Sequence, residues 1–118
     1  MLHDTKAEAR IEEELFHNSL SCEQRILLKA VDVLNHVGWG RCAYRSSDGR
    51  VCAVGAIRIA AGFGPQFITT ENSQYECYLR ALHTLERTVG SPTVEDWNDY
   101  PSTYAAEVKY QMLLAALG

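Results

Sequence analysis

Val51-Cys52-Ala53-Val54-Gly55-Ala56-Ile57-Arg58-Ile59-Ala60-Ala61-Gly62 is the stretch whose reading decides the fold. Apolar side chains fall on almost every side of it, Arg58 is its one charge, and Gly62 supplies a stop. A helix that is apolar all round belongs in the middle of a core. The expected centre of the molecule is therefore a helical rod from Val51 to Ala61. A guanidinium carried into that core needs a counter-charge, because an unpaired buried cation costs several kcal/mol. Asp99 or Asp96 is the expected partner of Arg58.

Helices are legible on both sides of the rod. Ser21-Cys22-Glu23-Gln24 has the capping-box pattern, and Leu27, Ala30, Val31, Leu34 and Val37 then line one helical face up to Gly38. A long helix is expected from Asn72 to Val89, with Tyr75, Tyr78, Leu79, Leu82 and Leu85 on its stripe and Gly90 as its end. One or two turns follow over Thr93 to Asn98. A last helix from Thr103 to Leu117 is expected to bury Tyr104, Val108, Met112 and Ala115, with Leu113, Leu114 and Leu117 widening the buried face. Between Gly38 and Arg50 the glycines and serines make a loop, with a short extended pair near 42–44 and 50–52 as the one challenge to an all-α fold.

The amino-terminal residues Asp4 to His17 form a charged helix candidate with only a narrow apolar stripe, Ala7, Ile11 and Leu15. Such a helix reads as an arm that docks on the body or on another chain, and it leaves a homodimer open. With no repeat, linker or low-complexity tract, residues 1–118 read as one all-α domain of five or six helices, the acidic arm covering 1–20.

Composition narrows the classes. The chain has 118 residues, 47% of them hydrophobic and 22% charged, which is globular rather than disordered. No apolar run is long enough to cross a membrane, and the acidic start lacks a secretion signal, so a cytoplasmic protein is expected. Charge runs acidic, basic, acidic: residues 1–23 sum to −4, residues 24–58 to +4 and residues 59–118 to −4. Overall acidity argues against nucleic acid as partner. The four cysteines are read as free thiols, and their spacing matches no zinc site, so no metal and no cofactor are expected.

Gly38-Trp39, Asp48-Gly49-Arg50-Val51-Cys52-Ala53-Val54-Gly55-Ala56 and Trp97-Asn98-Asp99, followed by Pro101, Thr103, Glu107 and Val108, together resemble the domain of unknown function family 6197 of actinobacteria and their phages. The resemblance covers residues 25–117 and implies a small helical domain, actinobacterial or phage-encoded. It implies no activity, and the acidic first helix lies outside it.

Three function classes follow. The leading expectation is a non-enzymatic interaction or regulatory protein that binds a protein partner through the first helix or the basic loop, where Arg41, Tyr44, Arg45 and Arg50 place bases beside an aromatic. The second is a small cysteine hydrolase or transferase. Cys52 would be its thiolate at a helix start, with His83 as base and Asp99 as orienting group. The third is a small-molecule sensor with a pocket around Trp39, Arg58, Trp97 and Asp99. Against these stand plain structural roles: Trp97 as core, Asn98 or Asp99 as a bond to backbone amides, and Cys52 as a packed, inert thiol.

Overall fold

In the computed structural model the described residues are 19–118, so the expected helix over Asp4 to His17 lies outside them. Within them the order is α1 (Cys22–Val37), α2 (Ala53–Ala60), α3 (Gln74–Val89), α4 (Val94–Asp99) and α5 (Ala105–Leu117). The fold is all-α.

Each start has a local cause. Ser21 Oγ accepts from the Gln24 amide and the Gln24 side chain accepts from the Ser21 amide, which is the expected capping box. Thr93 caps α4 through the Asp96 amide. At Gly38, φ 86° and ψ 157° lie in a region open only to glycine, and the chain leaves α1 there.

The extended pair near 42–52 shrinks to isolated contacts. Val51 bridges Trp39 in parallel and Arg45 in antiparallel sense, and no strand forms among the described residues. Val51 therefore belongs to this ladder rather than to the helix, and Cys52 is the cap of α2.

Packing departs from expectation in its hub. α2 is buried along most of its length, but α1 is the helix that packs against α2, α3 and α5. The last helix leans on α1 and α3 instead of α2. Leu27, Leu34, Val54, Ile57, Leu85, Val108 and Met112 fill the shared core.

Two further expectations fail. Cys22 and Cys77 are joined in a disulfide, with Cα atoms 5.7 Å apart, because the first turns of α1 and α3 lie side by side. Disulfides persist in oxidising compartments, so the cysteines no longer speak for a reducing cytoplasm. On α5, Val108, Met112 and Ala115 are buried as expected, but Tyr104 is 62% exposed, Leu113 38%, Leu114 41% and Leu117 58%. The helix turns Val108, Met112, Ala115 and Ala116 inward, which aims the leucines at solvent. Among the described residues, no helix is long and apolar enough to cross a membrane.

Candidate functional site

Asn98, near the end of α4 and wholly buried, organises the region where the loop, α2 and α4 meet. Its Oδ1 accepts from the Trp39 indole at 2.6 Å and from the Ala53 amide at 2.9 Å. Its Nδ2 donates to the Gly40 carbonyl at 3.2 Å and to Asp99 Oδ1 at 3.0 Å. Asp99 Oδ1 also accepts from the Cys42 amide at 2.9 Å, which holds Cys42 at φ 66°. Every bonding position of the amide is used. The expected backbone contacts of Asn98 and Asp99 exist, but they fasten the 39–42 loop and the start of α2 rather than the turn into α5.

Beside this cluster lies a cavity of about 300 Å³ lined by Cys42, Ala43, Tyr44, Cys52, Glu95, Asn98 and Asp99. Gly55 makes its wall possible: a Cβ there would overlap the Tyr44 carbonyl oxygen, so only glycine lets the loop lie on α2. Glu95 and Asp99, four residues apart, put two carboxylates on one side of it.

Cys52 is a free, buried thiol whose Sγ accepts from the Gly55 amide at 3.4 Å. Burial pushes its pKa up, and the backbone amides of Gly55 and Val54 oppose this. The negative charges of Asp99 and Glu95 raise it further. The helix start thus fails to activate the thiol, since desolvation and two nearby anions outweigh the amides. His83 lines a different depression, with Glu23, Arg80, Thr84 and Arg87. The suggested trio of Cys52, His83 and Asp99 is therefore split between two sites.

Among the described residues Arg58 has no carboxylate partner, which corrects the expected pairing with Asp99 or Asp96. Its Nε donates to the Tyr78 hydroxyl at 3.0 Å and its Nη1 to the Pro65 carbonyl at 3.3 Å, while its guanidinium lies 4.2 Å from the Tyr44 ring centroid. The side chain sits at the edge of the core, where aromatic faces and neutral acceptors suffice. Arg58, Trp39 and Trp97 are not among the residues that line the cavity beside Asp99: Trp97 is core and Trp39 is bonded to Asn98.

The basic loop is mostly engaged within the chain. Arg41 sits between the Trp39 and Tyr104 rings at 5.0 and 4.9 Å and donates to the Pro101 and Thr103 carbonyls. Arg50 pairs with Asp48 at 2.7 Å and Tyr44 lies under Arg58, which leaves Arg45 exposed. Among the described residues, no group of three His, Cys, Asp or Glu side chains is placed to hold a metal ion.

Sequence reading missed Glu95 and Cys42 as cavity residues. The i, i+4 spacing of Glu95 and Asp99 was the available signal for the first; for Cys42 there was none, because its placement depends on Asp99 across the fold.

Fold and site together define a small all-α protein in which one buried amide ties a loop to two helices. The chain belongs to the family of unknown function DUF6197, whose profile matches residues 23–116. Comparison with curated proteins and with solved structures gives no match.

Proposed function

We propose that the chain is a non-enzymatic interaction module that binds a protein partner through the outward face of α5. The observation that carries this reading is the row of Tyr110, Leu113, Leu114 and Leu117, all exposed and all on one side of the helix. Large apolar side chains gathered in one patch, rather than scattered singly, mark docking surfaces. The internal pairing of Arg41 and Arg50 moves the expected contact away from the basic loop. The raised pKa of Cys52 weighs against thiolate chemistry.

The test is a photo-crosslinking amino acid placed at Tyr110 in the producing cell, with His83, exposed on α3, as the control position. Discrete protein adducts from position 110 and none from position 83 are expected. Equal labelling from both, or none from 110, overturns the reading.

A second reading, a small-molecule sensor, is favoured by the cavity beside Tyr44, Cys52 and Asn98. It calls for a rise in melting temperature with some member of a metabolite panel, lost in Tyr44→Ala; a flat panel removes it.

A further inference from the structure

We infer that the Cys22 to Cys77 bridge is a thiol-exchange site that takes a small anionic thiol, one carrying a second negative group, at Cys22. On one flank of the bridge lies a depression of about 160 Å³ lined by Cys22, Arg25, Ile26, Lys29, Ala60 and Gln74. Arg25 and Lys29, four apart on α1, are exposed, and their side chains hold no hydrogen bond or ion pair among the described residues. Two uncommitted cations over a depression that ends on a disulfide sulfur favour an anion at that sulfur. Cys22 borders the depression and Cys77 does not, which decides the sulfur that an entering thiolate meets.

Arg80 stands against the sulfurs themselves. Its Nη2 lies 3.3 Å from Cys22 Sγ and 3.6 Å from Cys77 Sγ, and its Nε lies 3.6 Å from Glu23 Oε2. A thiolate attacks one sulfur of a disulfide and expels the other. Here the incoming sulfur, its proton already given to water, bonds to Cys22 Sγ; the Cys22–Cys77 bond breaks, and its electron pair leaves on Cys77 Sγ. One disulfide is traded for another, so the step needs no external oxidant. The Arg80 guanidinium and the first turn of α3 receive the departing negative charge. The acids of the two first turns, Glu23 and Glu76, work against an anion, and Arg25, Lys29 and Arg80 work for it. The chain as a whole carries −4 and repels an anionic thiol, so a preference for one reports the local bases alone.

The test follows opening of the bridge in the full chain by 3-mercaptopropionate, 2-mercaptoethanol and cysteamine, whose second groups are anionic, neutral and cationic. Each rate is taken per thiolate and divided by the rate of the same thiol with the neutral bis(2-hydroxyethyl) disulfide, which removes differences in intrinsic nucleophilicity. The normalised rates should favour 3-mercaptopropionate over cysteamine by roughly fivefold or more at low salt, and converge near about 1 M salt. Arg25→Gln combined with Lys29→Gln should abolish the preference, and both side chains are exposed, so the circular dichroism should not change. Arg45→Gln, which removes a base before the start of α2, whereas Ala60 is its last residue, should leave the preference within about twofold. Arg80→Met should slow all three thiols alike. Acid quenching, alkylation and peptide mass mapping should find the first mixed disulfide on Cys22 and the freed thiol on Cys77. Cysteamine as the fastest thiol, a preference that survives Arg25→Gln with Lys29→Gln, rates unaltered by Arg80→Met, a first adduct on Cys77, or a chain that lacks the bridge overturns the inference.

Discussion

Trp39 and Asn98, 59 positions apart, meet in an indole-to-amide hydrogen bond of 2.6 Å, and the same amide oxygen accepts from the first amide of α2. One side chain therefore joins the loop after α1, the start of α2 and the end of α4. Its removal strands two donors and one carbonyl, of which the Ala53 amide is buried.

Asn98→Ala should lower the unfolding free energy by roughly 3 kcal/mol, since each buried group left without a partner costs about 1–3 kcal/mol. Urea denaturation followed by circular dichroism measures this. A loss below about 1 kcal/mol would show that the amide is dispensable.

Asp99→Asn and Asp96→Asn should leave the contribution of Arg58 untouched, because neither acid pairs with it. Arg58→Met should destabilise by only about 1–2 kcal/mol, the scale of a cation–π contact together with a neutral hydrogen bond. A double-mutant cycle between Arg58 and Asp99 reads the coupling directly, and a value above about 1 kcal/mol would reinstate the ion pair.

Reduction of the Cys22 to Cys77 bridge should lower stability by about 4 kcal/mol, the chain-entropy value for closing a loop of sequence separation 55. Cys22→Ser and Cys77→Ser should each match the reduced protein in melting temperature. No response to reductant would rule out the bridge as a stabilising link.

Iodoacetamide should label exposed Cys42 well before buried Cys52. The folded-state pKa of Cys52 is raised above 9.0 and that of Tyr78 above 10.0, in each case mainly by burial. Both groups bind their protons more tightly when folded. The stability they contribute is complete below about pH 9 and declines as pH rises through the folded values. Melting temperature should therefore fall above pH 9, less steeply in Cys52→Ala. A flat profile from pH 8 to 11 would contradict this.

Gly55→Ala should cost about 2–3 kcal/mol by driving a methyl group against the Tyr44 carbonyl. Equilibrium unfolding of the variant checks the value, and a neutral effect would mean that the loop can lift off α2 without loss.

What the amino-acid sequence determined by itself is local. The Ser21 and Gln24 box, the stops at Gly38 and Gly90, and the apolar period of α1 and α3 involve residues within four positions of one another, so the chain states them before it folds. The burial of α2 was legible for the same reason, its composition leaving no polar side. Only the tertiary structure decided the partners: Tyr44 and Tyr78 for Arg58, Cys77 for Cys22, and Trp39, Gly40 and Ala53 for Asn98. Each depends on which helices lie side by side, a quantity set by the summed packing of the core. The outward turn of Tyr110, Leu113 and Leu117 belongs to that group, because a helix apolar on two sides does not specify which side its neighbours cover until they have packed.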